Sequence, residues 1–255
     1  MKKTIVANWK MYGDSASAKA WVDSFRALLP TTNNQQPTTK IIVCPPTPLL
    51  ATLKTAVADL PISLGGQDCH YEKEGAWTGD ISADLLKDIG CEFVIIGHSE
   101  RRNNYAETNE IVNKKASYAI TIGLVPIICI GETAIERANG QTIEVLKKQI
   151  TESIPKNAIE TNFILAYEPI WAIGSGNVPT MDEIKTVHEA ILLATSKHIS
   201  GNRGLASDNI LLLYGGSVKA ENAKEIMQVQ GVSGVLVGGA SLKAEEFFKI
   251  VTSDL

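Results

Sequence analysis

Apolar residues along this chain gather into eight short, nearly unbroken runs. They are TIVANW (4–9), IIVCP (41–45), ISLGG (62–66), CEFVIIG (91–97), LVPIICIG (124–131), NFILAYE (162–168), NILLLYGG (209–216) and SGVLVGG (233–239). Runs of this kind, rich in β-branched residues and lacking polar alternation, read as strands covered on both faces. Between most of them lie stretches with helical spacing of apolar and charged residues: 15–29, 109–123, 134–150, 180–199 and 220–229. Thr180 with Glu183 three residues on predicts a capping box at the start of one of these helices. Strands alternating with helices imply parallel pairing through crossover connections. About eight such units in a chain of this size predict a closed (β/α)8 barrel. A doubly wound open sheet would favour a GxGxxG turn after the first strand, and NWKMYGDS (8–15) is not one. The polar stretch 30–39 reads as a loop, nothing resembles a linker, and residues 1–255 are expected to form a single domain.

Composition narrows the partners. The 255 residues carry a formal net charge of −4 with no basic block, which argues against a nucleic-acid or membrane partner. A small anion needs only one local positive site and stays compatible. Cys44, Cys69, Cys91 and Cys129 show no CxxC pairing or metal-ligand spacing and read as free thiols of a reducing compartment. Lys2 and Lys3 start the chain like a secretory signal, but the apolar stretch after them ends at Ala7. That is shorter than the roughly 7–15 apolar residues a signal requires, so a cytoplasmic location is expected.

In a barrel of parallel strands the active site is built where the strands end. The first run ends in Asn8 and Lys10, two apart and therefore on one side of an extended chain. The fourth ends in GHSERR (97–102). A hydrolase elbow would need G-x-S-x-G, and Arg101 stands at its last position. What remains is His98 ahead of a helix start. The positive end of that helix disfavours its protonation, so the ring could serve as a neutral hydrogen-bond donor to a carbonyl. The sixth run ends in Glu168, followed by Pro169 and an apolar, glycine-jointed segment to Gly176. The seventh ends near Ser217 and the eighth in Gly238 and Gly239, expected to open a final helix and expose N–H groups to an anion. A cation, an imidazole, a carboxylate base and an anion cradle on one rim suit proton abstraction beside a carbonyl in a small phosphorylated substrate. An aldolase or epimerase of phosphorylated sugars would want a Schiff-base lysine or a metal cluster, and the strand ends offer neither. A non-catalytic binding protein would not require the whole set.

These stretches, ANWKM (7–11), GHSERR, AYEPIWAIGSG (166–176), YGGSV (214–218) and VGGASL (237–242), closely resemble the triosephosphate isomerase family in order and spacing, over essentially the whole chain. The resemblance implies a TIM barrel that interconverts dihydroxyacetone phosphate and D-glyceraldehyde 3-phosphate through an enediol(ate), with no cofactor and no metal. It places the catalytic base on Glu168, the electrophile on His98 and the positive side chain on Lys10 with Asn8 beside it. It places phosphate binding on Gly174, Ser217, Gly238 and Gly239. A glutamate base with a neutral histidine beneath a closing loop is the family's familiar arrangement, not a discovery of this sequence. The resemblance further implies a homodimer through the loop from Gln67 to Thr78, which carries Trp77. This chain departs from the common pattern at Asp68, Trp77, Ser175 and Asn177–Pro179.

Overall fold

The structure, a computed structural model, describes residues 2–29, 39–159, 162–174, 177–200 and 209–253. The polar connections 30–38 and 201–208 lie outside the described residues, as do Ser175, where the sequence departs from the family's loop pattern, and Gly176, where it follows it. Eight strands form one closed parallel barrel in chain order. They are β1 (Thr4–Asn8), β2 (Lys40–Cys44), β3 (Ile62–Gly66), β4 (Phe93–Ile96), β5 (Val125–Ile130), β6 (Ile164–Tyr167), β7 (Leu212–Tyr214) and β8 (Gly234–Val237). Closure is made by β1 on β8, with Thr4 opposite Gly234 and Ala7 opposite Val237.

The unbroken apolar runs follow from this geometry. Successive side chains point to opposite faces of a strand. Val6, Ile42, Phe93, Ile95, Ile127, Cys129, Ala166, Leu213 and Leu236 fill the barrel interior. Their neighbours Ile5, Ala7, Ile41, Val43, Val94, Ile96, Ile128 and Leu165 pack outward against the helices. Both faces are dry, so neither tolerates the polar half of an alternating pattern.

The outer layer comprises α1 (Ser15–Leu28), α2 (Leu50–Ala56), α3 (Ala83–Asp88), α4 (Ser99–Tyr105) and α5 (Asn109–Thr121). It continues with α6 (Ala134–Ala138), α7 (Thr142–Ser153), α8 (Met181–Ser200), α9 (Ala220–Gln228) and α10 (Ala244–Thr252). Helix α1 shows the local logic. Asp14 caps it by accepting from the Ser17 amide at 2.7 Å. Ala18, Trp21, Val22 and Phe25, spaced at three and four residues, are its buried face. Trp21 and Phe25 stack at 5.0 Å, and both touch Phe247 of α10. Truncating Phe25 to alanine would cost roughly 3–5 kcal/mol.

The expected capping box at α8 is present: Thr180 Oγ1 accepts from the Glu183 amide at 3.3 Å and Glu183 Oε2 from the Thr180 amide at 2.8 Å. Two expectations need correction. Residues 134–150 form two helices, because the chain turns at Gly140 with φ of 72°, a conformation other residues rarely adopt. And Gly238 and Gly239 do not open the last helix. They begin a short 3₁₀ turn, Gly239–Leu242, with α10 starting only at Ala244. Among the described residues no helix is long and apolar enough to cross a membrane.

Candidate active site

The strand ends converge on a cavity of about 750 Å³ at the C-terminal rim, lined by Asn8, Lys10, His98, Ile173, Gly174, Ser217, Leu236, Gly238 and Gly239 among others. Seven of the eight sequence-predicted site residues therefore meet around one space. The eighth, Glu168, is 2% exposed and does not line it. Its Oε1 lies 2.9 Å from His98 Nε2, and its Oε2 accepts the Ser99 amide at 2.9 Å. The carboxylate is parked against the first turn of α4 and must rotate to face the cavity.

The backbone around Glu168 is held tightly. Its amide donates to Ile130 O at 2.7 Å, and Gly215 N donates to Tyr167 O at 2.7 Å. Gly131 stands where a Cβ would come within 1.7 Å of Glu168 O. Only glycine allows this approach, which seats the end of β6 against the end of β5. Burial alone would raise the Glu168 carboxyl, but the His98 ring, the Ser99 amide and Lys10 outweigh it and hold the pKa below the usual carboxylate value.

His98 is the N-cap of α4, and its Nδ1 accepts the Glu100 amide at 3.2 Å. That bond requires an unprotonated Nδ1, leaving Nε2 to carry the hydrogen and donate to Glu168. Burial alone would lower the imidazole pKa, yet the adjoining Glu168 carboxylate draws it above its ordinary value. The sequence expectation of a neutral ring considered only the helix end, and the parked carboxylate acts against it. The singly protonated Nε2–H form satisfies both hydrogen bonds. The carboxylate parked beside it, which sequence could not place, pulls toward imidazolium.

Lys10 also reaches the cavity by a different route from the one expected. Strand β1 is over at Asn8, and Lys10 has φ of 51°, so strand alternation does not aim it. Asn8 Oδ1 accepts the Lys10 amide at 3.0 Å, and Gln67 Nε2 donates to Lys10 O at 2.8 Å and Cys44 O at 2.9 Å. These bonds hold the left-handed turn, and Lys10 Nζ meets Glu100 Oε1 at 2.5 Å. Glu100 thus touches both the cation and the histidine cap. The sequence reading gives Glu100 no role, although its place directly after His98–Ser99 was the available signal.

On the opposite wall, Ser241 N and Oγ both donate to Gly238 O, at 2.8 and 2.7 Å, fixing the 3₁₀ turn. The lid segment starts on a second buried acid. Glu132, 0% exposed, accepts from Trp171 Nε1 at 2.9 Å and Tyr167 OH at 3.2 Å. Burial raises its carboxyl pKa despite these donors and Arg137. Trp171 is thus anchored on an acid that no local sequence pattern pointed to.

The family model described as "Triosephosphate isomerase" matches residues 3–254. The chain belongs to the triosephosphate isomerase family. It is 43% identical to the triosephosphate isomerase of Acidiphilium cryptum, over 99% of this chain and 98% of that one. It is 44% identical to that of Alkaliphilus oremlandii, over 98% and 99%. The crystal structure of triosephosphate isomerase from Bartonella henselae superposes with a TM-score of 0.86 at 37% identity, covering 100% of this chain and 99% of the other. Barrel and family thus agree, and each of the five stretches that carried the resemblance contributes at least one residue to the cavity wall.

Proposed function

We infer that the protein is an isomerase that interconverts dihydroxyacetone phosphate and D-glyceraldehyde 3-phosphate through an enediol(ate). The observation that carries the reading is the Glu168–His98 contact of 2.9 Å at the edge of the rim cavity, in a chain of this family. Glu168, once rotated inward, takes a proton from the carbon next to the carbonyl. His98 Nε2–H donates to the carbonyl oxygen as negative charge builds there. The proton then returns to the former carbonyl carbon, while the hydroxyl proton of the first carbon passes to the former carbonyl oxygen, so one carbonyl is lost as the other forms. Nothing is oxidised or reduced overall, so side chains suffice. Lys10, beside Asn8, presents positive charge to the substrate. Backbone N–H groups at Gly174, Ser217, Gly238 and Gly239 cradle the phosphate, aided by the lid. Turnover of dihydroxyacetone phosphate in a coupled assay tests the reading, and its absence in folded protein overturns it.

The finer assignments follow the same reading. Residues 1–255 act as one barrel domain. The four cysteines are all buried and free, which supports a reducing, cytoplasmic setting. The chain works as a homodimer through the loop from Gln67 to Thr78. There Trp77, 47% exposed, lies 4.4 Å from the His70 ring; Met11 and Tyr12, in the chain's first loop, are also bared, at 94% and 58%. Large exposed apolar groups of this kind mark a surface meant for covering. Sedimentation at micromolar concentration tests it: a monomer contradicts the dimer.

A further inference from the structure

Two arginines stand side by side in α4 with opposite surroundings. Arg101 pairs with two carboxylates, Asp68 at 2.9 Å and Glu107 at 2.6 Å. Arg102 turns inward, and among the described residues its bonds go only to neutral acceptors. Nε donates to Gly97 O at 2.8 Å, Nη1 to Asn109 Oδ1 at 2.6 Å, and Nη2 to Cys129 O at 3.1 Å and Ser153 Oγ at 3.3 Å. A guanidinium in such a setting gives up hydration without gaining a counter-ion, an arrangement with a desolvation cost and no ion-pair return.

The acceptors explain the arrangement. Gly97 O belongs to the peptide that leads into His98. Cys129 O belongs to the peptide that leads into Ile130, whose own carbonyl accepts the Glu168 amide at 2.7 Å. One planar fork thus ties the backbone under the histidine to the backbone under the glutamate. Gly97 is shaped for it: φ is 68°, and a Cβ there would fall 3.1 Å from Arg102 Nη2 and 2.6 Å from Val112 Cγ2. Ser153, the last residue of α7, brings the negative end of that helix to the same cation.

We propose that Arg102 is a positioning residue for the proton transfer, fixing the ends of β4 and β5 so that His98 and Glu168 keep their spacing and placing uncancelled positive charge behind Glu168. Burial lowers the guanidinium pKa, while Glu168 is among the groups that pull it back up. Lysine cannot substitute, since a single ammonium on a flexible stem does not span two carbonyls with fork geometry.

The inference rests on the isomerase reading, which turnover by the parent chain tests on its own. The ratio of variant to parent tests this one. Arg102→Lys keeps the charge and loses the fork. Its kcat is expected to fall on the order of 10²-fold, the effect of a misplacement near 1 Å, with KM within about 2-fold because β7 and β8 are untouched. Arg102→Gln loses both, so the acidic limb of its kcat/KM profile should also move to higher pH, while that of Arg102→Lys stays put. A role confined to stability would lower Tm and leave kcat and the acidic limb at parent values, and that result overturns the proposal. Should either variant not fold, Asn109→Ala combined with Ser153→Ala removes two of the neutral acceptors. A several-fold fall in kcat at constant KM is then expected, and an unchanged kcat refutes the idea.

Discussion

Glu168 and His98 hold each other at 2.9 Å while the Ser99 amide holds the second oxygen of the carboxylate. Each group changes the other's titration. With the carboxyl pKa lowered, its share of stability is present above the unfolded value, near 4.3, and is lost as pH falls through the folded pKa. With the imidazole pKa raised, its share is full below about 6.5 and is lost as pH rises through the folded pKa. The mutual stabilisation is therefore greatest between roughly pH 4.3 and 6.5.

The first prediction follows directly. Nitrogen NMR of ligand-free protein should show the neutral His98 ring protonated at Nε2, with a midpoint above about 6.5. In Glu168→Gln the midpoint should drop, because burial and the α4 N-terminus are then opposed chiefly by Glu100. Equal midpoints in the two proteins would contradict the coupling.

How much of this was legible in the sequence differs residue by residue. The barrel was, because the double-faced burial of Val6 against Ile5, or Ile95 against Ile96, leaves no room for polar alternation. Most members of the candidate site were also legible, since Asn8, His98, Glu168, Gly238 and Gly239 stand at or beside the ends of apolar runs, whereas Gly174 came only from the resemblance. Their poses were not. Lys10 enters through a left-handed turn held by Gln67, fifty-seven residues away. Glu168 is turned from the cavity by an amide in another β/α unit. Arg102, Glu132 and Gly131 matter through contacts across strands, and no local pattern distinguishes them from any buried arginine, acid or turn glycine.

The role of Glu168 as base can be tested by shortening it. Glu168→Asp keeps the charge and withdraws the carboxylate by about 1 Å, which should lower kcat on the order of 10²-fold with a much smaller change in KM. Steady-state kinetics decides the matter. Near-parent turnover would remove Glu168 from the chemistry.

His188, on α8, gives a prediction independent of catalysis. It is fully buried, its Nδ1 faces Gly231 O at 3.2 Å, and among the described residues its Nε2 has no partner. Burial pushes its pKa down to about 4, against the Gly231 bond. The unfolded chain binds this proton near 6.5, so stability should fall as pH drops below 6.5 and level off below 4. The loss amounts to on the order of 3 kcal/mol. Chemical denaturation from pH 7 to 4.5 should show a steeper decline for the parent than for His188→Gln. Parallel curves would sink the assignment.

The last prediction concerns the lid. Its entry is pinned by Trp171 on Glu132, with Arg137 4.1 Å over the Trp171 ring. Arg137 also binds Glu183 at 2.5 Å, and Glu183 caps the Thr180 end of the same segment. One cluster thus holds both ends of a loop whose Ile173 and Gly174 sit on the cavity wall. In the isomerase reading, a segment tethered at both ends serves to exclude water from an intermediate that needs protection. An enediolate next to a phosphate ester can break the C–O bond and expel inorganic phosphate, leaving an enol that becomes methylglyoxal. A lid that grips the phosphate keeps that bond badly aligned for elimination. Removing residues 171–176 and rejoining the chain leaves Glu168 and His98 on the rim but frees the intermediate. Turnover should fall by about 10²-fold or more as positioning and water exclusion are lost. The more telling change is in the products: methylglyoxal and free phosphate should account for much of the dihydroxyacetone phosphate consumed. A folded deletion variant that yields only glyceraldehyde 3-phosphate would show that the lid binds substrate without protecting the intermediate.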